Sequence, residues 1–267
     1  MEETLDLEGL FQIWDQLSPA LRYPLLAVLI LLAICAVVSI VVSIYLAISY
    51  HRYNHKENSV GLTGEVIARR VLDANDLREI QVKSSGSFLF GNSYSHYFKK
   101  VRLRRLTWKK ASVGSMAMAV QKSCLAILDK ERDPDMVRRV RLTPFIYIGP
   151  IACLPLIILG AVLDALLFSS AGFVTVLGVV LGLALYVLSF IMSVMVLKTE
   201  VKAQERAYTV ARENGLANEE ELGDMKALFR LYNIEYINNM ITALLELLLR
   251  VLSILAKAEV KNGSNND

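Results

Sequence analysis

The chain has only three histidines and three cysteines, the side chains that most often bind transition metals, and most of them stand alone in the sequence. His51 and His55 stand four residues apart, a spacing that lets two imidazoles reach one metal from one face of a helix. No glutamate follows His51 and no third ligand is evident, so we interpret the pair as polar residues at the end of a hydrophobic segment. The cysteines form no C-x-x-C pair, and we expect them to be small buried apolar side chains: Cys35, Cys124 and Cys153.

Three long runs without charge dominate the chain, which is 54% hydrophobic with a mean hydropathy of +0.43. They are 23–50, 142–163 and 165–197, and each exceeds the roughly 20 apolar residues that span a bilayer. We predict membrane helices at 23–50, 144–168 and 172–197, the last two joined as a tight hairpin. Asp164 separates two of the runs, and both a functional intramembrane carboxylate and a side chain reaching water at the hairpin remain open.

The charges around these runs predict an orientation. Residues 1–21 hold five acidic residues and no basic one, whereas residues 51–143 hold 19 Lys and Arg against 9 Asp and Glu. Basic segments stay on the cytoplasmic side, so we expect a multi-pass protein of the cell membrane with its N-terminus outside. For the leader, 1–22, a surface amphipathic helix and a disordered segment are both open.

The polar segments predict a small domain between the first two membrane helices, at 51–143. Its pattern indicates a helix at 63–75, strands at 79–84 and 97–103, a loop at 84–95 and an apolar helix at 112–131. A cytoplasmic helical segment follows at 198–228, then a hydrophobic helix at 229–258, which either lies in the interface or spans, and a disordered tail at 259–267. The predicted fold class is therefore a mainly α membrane protein with a small cytoplasmic α+β insertion.

Several short motifs in one order identify a family resemblance. Residues 49–64 read SYHRYNHKENSVGLTG and are followed by EVIARRVLDANDL; VRL follows at 101–103 and KTEVKA at 198–203. Over roughly 200 residues these resemble the YugP-type membrane zinc metallopeptidases of bacteria, which have TGAEVARRLLDANGL, VRL and PVEFDA in the same order. The resemblance implies a helix with H-E-x-x-H, and its first histidine corresponds to Gln121.

The resemblance also shows which site residues this chain has lost. Gln121 and Leu125 replace the two zinc histidines, Lys122 replaces the glutamate base, and Lys202 replaces an aspartate of the later segment, which leaves Glu200 as the one retained ligand. Leucine cannot bind zinc, and a protonated lysine cannot take a proton from water. We therefore expect no cofactor here, although the family has zinc. Glu200 either pairs with Lys122 or Lys202 in place of the metal, or is a solvated carboxylate.

A dense basic stretch lies in the predicted insertion and is our candidate for lipid contact. It could bind anionic headgroups, with each cation contributing on the order of 1 kcal/mol, or it could simply mark the cytoplasmic side. Nucleic acid is the weakest electrostatic alternative, and we expect none as a partner. The candidate lipid-contact residues are Lys99, Lys100, Arg102, Arg104, Arg105, Lys109 and Lys110.

Together these observations predict a catalytically inactive homologue of a bacterial membrane zinc metallopeptidase. We expect a regulatory, adaptor or complex subunit whose partners are membrane lipid and another membrane protein, for example an intact metallopeptidase relative. Two alternatives stay open: an active membrane zinc metallopeptidase with unusual ligands, and a structural membrane protein that binds anionic lipid.

Overall fold

The computed structural model describes residues 14–86, 91–167 and 173–263. The first part of the predicted leader, 1–13, and the last residues of the predicted tail, 264–267, lie outside this range. A short 3-10 turn, Trp14–Gln16, precedes the first helix. The helices are α1 Pro19–His55, α2 Gly64–Ala74, α3 Arg105–Lys109, α4 Val113–Lys130, α5 Pro134–Leu167, α6 Phe173–Glu213 and α7 Glu219–Gly263, and the strands are β1 Gln81–Ser85, β2 Ser93–Ser95 and β3 Lys100–Arg104.

Long apolar helices make the chain a mainly α membrane protein, as predicted. Within the described residues, three helices are long and apolar enough to cross a membrane, namely α1, α6 and α7. The 41 residues of α6 extend about 60 Å, twice the roughly 30 Å of a bilayer's hydrocarbon core. Its uncharged residues end at Leu197, and charged residues occur along the rest of the helix, 198–213. The C-terminal helix α7, for which the sequence left two possibilities open, is long and apolar enough to span a membrane.

Helix α5 begins ten residues before the predicted membrane segment at 144. Pro134 is the first residue of α5. A backbone N–H at this position has no acceptor within the helix, so proline, which lacks the N–H, is tolerated there. The Asp133 carboxylate caps this start, because its Oδ1 accepts from the backbone N–H of Asp135 at 2.9 Å and of Met136 at 3.1 Å. At the other end Asp164 is buried, and its Oδ1 accepts from the backbone N–H of Val174 at 3.1 Å.

The chain divides into two compact units, Met1–Tyr45 with Ile234–Asp267 and Leu46–Asn233. In the first unit, apolar side chains of α1 and α7 share a small core that includes Leu25, Val28 and Leu249. Asn238 of α7 donates from its side chain to Ser39 Oγ within this unit. Such polar contacts hold helices together where apolar burial does not discriminate between lipid and protein.

The second unit is built around α4, whose residues are nearly all buried. Ser112 caps this helix by accepting from the backbone N–H of Ser115 at 3.2 Å. Helices α2 and α6 pack on α4, as does a three-stranded sheet of order β1-β3-β2. At the start of α2, a Cβ on Gly64 would lie 2.1 Å from the Thr107 carbonyl oxygen, so only glycine allows this approach.

The sheet differs from its prediction in one strand. β1 and β3 correspond to the strands predicted at 79–84 and 97–103, and they pair in parallel. β2 lies in the predicted loop at 84–95 and pairs antiparallel with β3. Its sequence, Ser-Tyr-Ser, is too short and too polar for an alternating apolar pattern to reveal it. Val101 and Leu103 of β3 are buried, and the residues between and beside them are basic.

A glycine and a capping box form the connection from α6 to α7. Gly215 adopts a φ of 59° just after α6, the left-handed conformation that favours glycine at a helix end. Asn218 and Glu221 form a reciprocal capping box: Asn218 Oδ1 accepts from the Glu221 N–H at 2.9 Å and Glu221 Oε2 accepts from the Asn218 N–H at 2.8 Å. By contrast, Thr63 precedes α2 without a side-chain capping bond.

Candidate functional site

Three helices bring four polar side chains together at the place to which the resemblance assigns the zinc site. Lys122 Nζ on α4 donates to Glu200 Oε2 on α6 at 2.7 Å, and Gln121 Nε2 donates to the same oxygen at 2.9 Å. Arg139 Nη2 on α5 donates to Glu200 Oε1 at 2.8 Å. Both oxygens of the Glu200 carboxylate are therefore engaged by N–H donors of this cluster, which we call the Glu200 cluster (Gln121, Lys122, Arg139 and Glu200).

Arg139 is the member of the Glu200 cluster that the sequence reasoning missed. Besides Glu200, its guanidinium donates to Thr199 Oγ1 at 3.1 Å, and Thr199 is fully buried. Arg139 stands three residues before the uncharged run that begins at Leu142, and Glu200 stands three residues after the run that ends at Leu197. In an antiparallel hairpin these two positions face each other at the same level, and this symmetry is the signal that could have identified the pair.

The Glu200 cluster is shielded from water. The side chains of Lys122, Arg139 and Glu200 are 12%, 16% and 17% exposed. Burial raises the pKa of the Glu200 carboxyl, but the charges and hydrogen bonds of Lys122 and Arg139 outweigh it and lower that pKa to about 2. Glu200 is thus an anion at neutral pH, held between two cations.

Lys202, the other predicted partner of Glu200, contacts different carboxylates. Its Nζ lies 2.9 Å from Asp133 Oδ2 and 2.6 Å from Asp135 Oδ2. Residues two apart on a helix point in different directions, so Lys202 cannot share the face of Glu200. Burial raises the pKa of Asp133, and hydrogen bonds from Lys202 and two backbone amides more than reverse this. Hydrogen bonds from Lys202 and Lys198 lower the pKa of Asp135.

The donor set at the Glu200 cluster does not fit a zinc ion. Zinc in proteins takes thiolate, imidazole and carboxylate ligands, and the carboxylate lone pairs here face two cations and an amide. Leu125, at the second histidine position, is completely buried in the apolar core. No group of three or more His, Cys, Asp or Glu that could hold a metal ion occurs in the part of the chain that the structure describes.

The histidine pair and the buried cysteines take part in packing and hydrogen bonding within the fold. The rings of His51 and His55 stack with centroids 4.2 Å apart, and a ring nitrogen of His55 lies 2.7 Å from the His51 carbonyl oxygen. Cys35 and Cys124 are buried, and burial raises the pKa of the Cys124 thiol to about 12, which keeps it protonated. The side chain of Cys153 lies outside the described part.

The basic stretch lies along the turn before β3, through β3 and along α3. Lys99, Arg104, Arg105 and Lys109 are exposed, whereas Lys100, Arg102 and Lys110 are half-buried. Contact of these residues with lipid stays a prediction.

Comparison with known proteins identifies the family of this chain. Residues 28–256 match the family described as "Putative neutral zinc metallopeptidase". The chain is 24% identical over 200 residues to "Putative membrane protease YugP" of Bacillus subtilis (strain 168), an alignment that covers 75% of this chain and 84% of that protein. No solved structure matches. Since the family match covers most of the chain, this membrane protein belongs to the neutral zinc metallopeptidase family, as the resemblance predicted.

Proposed function

We propose that this chain is a non-catalytic member of the family, in which a buried ion-pair cluster stands where relatives hold zinc. The observation that carries the proposal is the Glu200 carboxylate, which contacts Lys122 at 2.7 Å and Arg139 at 2.8 Å. In a zinc peptidase, the metal lowers the pKa of a bound water and a carboxylate accepts its proton. Here a lysine occupies the position of that carboxylate.

The charge of the Glu200 cluster supports this proposal. Lys122 and Arg139 contribute two positive charges against the one negative charge of Glu200. A divalent cation at this place would be repelled by both basic groups in a poorly solvated site, where charges interact strongly. The same cluster links α4 and α6, the two helices to which the resemblance assigns the zinc ligands, and Arg139 adds α5. It would therefore connect these helices without a metal and without the reaction.

A member without the reaction would act by binding, as a regulatory, adaptor or complex subunit in the membrane. The proposed partners are another membrane protein, such as an intact relative, and membrane lipid. The proposed orientation leaves the N-terminus outside and the insertion at 51–143 in the cytoplasm, because the insertion carries the excess of basic residues.

Zinc content is the first test of this proposal. The full chain, purified in detergent, is exposed to zinc sulfate, dialysed and analysed by inductively coupled plasma mass spectrometry. We expect much less than one zinc per chain and the same residual amount in Glu200→Ala. One zinc per chain that disappears in Glu200→Ala would show that the site binds metal after all, and would favour a peptidase with unusual ligands.

The binding role needs a separate measurement. The tagged chain is purified from native membranes in mild detergent, beside a control chain carrying Lys122→Met and Glu200→Gln. We expect one defined membrane protein to be recovered with the parent, as identified by mass spectrometry. Recovery of lipid without any stoichiometric protein would contradict the adaptor role.

A further inference from the structure

The turn between β2 and β3 exposes two aromatic side chains beside a group of cations. This turn consists of His96, Tyr97, Phe98 and Lys99. Tyr97 is 63% exposed and Phe98 is 67% exposed, although both are large and partly apolar. Lys100 Nζ lies 4.4 Å from the centre of the Phe98 ring. Aromatic rings combined with lysine and arginine are typical of protein surfaces at the boundary between lipid and water.

Contacts with three other elements hold the turn in place. The Tyr97 hydroxyl donates to the backbone carbonyl of Val140 on α5 at 3.1 Å. Nδ1 of His96 lies 2.6 Å from Asp129 Oδ2 at the end of α4, and the Tyr94 hydroxyl donates to the same oxygen. The Lys99 carbonyl accepts from the Gln81 N–H at 2.9 Å, which ties the turn to the start of β1. Phe98 lies between these anchored residues and remains exposed.

The hydrogen bond from Tyr97 to Val140 shows where the turn lies relative to the hydrophobic segments, measured along the axis of α5. Val140 stands two residues before the uncharged run that starts at Leu142, a distance of about 3 Å along the helix axis. The Arg139–Glu200 pair places this point of α5 level with the end of the hydrophobic run of α6 at Leu197. The hydrophobic runs of α5 and α6 therefore both place the Tyr97 hydroxyl close to the edge of the apolar region.

We propose that the turn His96–Lys99 docks on the membrane interface, where Phe98 enters the headgroup region and Lys99 and Lys100 bind anionic phospholipid headgroups. The charge complementarity and the level of the turn both favour a bilayer as its occupant. This inference deepens the lipid contact named in the proposed function, but it does not depend on the loss of catalysis, because an active peptidase would place the turn at the same height.

Tryptophan fluorescence in the full chain tests the proposal. Phe98→Trp is compared with Glu213→Trp after reconstitution into vesicles whose acyl chains carry bromine, a quencher of tryptophan, and the signal of the parent chain is subtracted. Glu213 is the control because it is exposed and is the last residue of α6. It lies 16 residues past Leu197, about 24 Å further from the apolar edge along the helix axis.

We expect the emission of Phe98→Trp to be blue-shifted and at least twofold quenched, while that of Glu213→Trp is unchanged. Quenching should be stronger in phosphatidylcholine mixed with phosphatidylglycerol than in phosphatidylcholine alone. The added quenching should disappear when Lys99→Gln and Lys100→Gln are combined with Phe98→Trp. Emission as unquenched as that of Glu213→Trp would leave the turn in water or against a protein and would overturn the proposal, as would equal quenching in both lipid mixtures.

Discussion

Arg139 and Glu200 meet at 2.8 Å, and each lies three residues outside the uncharged run of its own helix. The pair therefore marks the level at which α5 and α6 leave the apolar region. Lys122 reaches the same carboxylate from α4, which connects the buried helix of the insertion to the hairpin. The Glu200 carboxylate is thus a junction between three helices.

Removing one cation of this junction should weaken the fold. Lys122→Met deletes a charged hydrogen bond to the buried Glu200 carboxylate, which still has Arg139 as a partner. We expect the free energy of unfolding to fall by about 2 kcal/mol. The measurement is the apparent Tm of the full chain in detergent. Arg138→Ala is the matched control, because its pair with Asp135 is long, at 4.0 Å, and Arg138 is 61% exposed. An unchanged Tm for Lys122→Met would show that the pair has no structural weight.

Removing the anion should cost more than removing one cation. Glu200→Gln leaves Lys122 and Arg139 close together without a carboxylate, and we expect a loss of about 3–5 kcal/mol. In the double variant with Lys122→Met, one of the two unpaired cations is gone, so the combined loss should be smaller than the sum of the single losses. A double-mutant cycle on Tm measures this coupling. Strictly additive losses would contradict a direct interaction.

Restoring the family ligands should restore zinc binding only in part. The variant with Gln121→His, Lys122→Glu and Leu125→His supplies two imidazoles and the base, but Arg139 still engages Glu200 Oε1. We therefore expect at least tenfold tighter zinc binding when Arg139→Leu is added, measured by competition with a chelating dye. Addition of Arg138→Leu instead is the control. Equal affinities with and without Arg139 would refute this role for the arginine.

Acid should destabilise the second ion cluster, in which Lys202 contacts Asp133 and Asp135. The folded chain lowers the pKa of both carboxyls below 3.8, so their stabilising effect is complete at higher pH and is lost as the pH falls through the lowered values. We expect Lys202→Gln to reduce the decline of Tm between about pH 5 and about pH 3. Arg206→Gln, which removes a half-exposed pair with Glu131, should leave this decline as it is.

The sequence by itself determined the features that depend on local order and composition. Uncharged runs of more than 20 residues have few alternatives to membrane helices, and they predicted the fold class. The capping box of Asn218 and Glu221 is such a feature, because its partners are three residues apart. The family was visible from several short motifs in one order. The loss of the zinc histidines at Gln121 and Leu125, and of the base at Lys122, stays a prediction from that resemblance.

Only the tertiary structure decided which charges meet. Arg139 and Glu200 are 61 residues apart, and Lys122 and Glu200 are 78 apart, so no local pattern links them. Lys202 was an equally good sequence candidate for Glu200, but the helix turns it toward Asp133 and Asp135. The level of Phe98 at the apolar edge likewise follows from one hydrogen bond between distant elements, from Tyr97 to Val140. Such contacts depend on how the helices pack and on the direction of each side chain, and neither can be read from adjacent residues in the sequence.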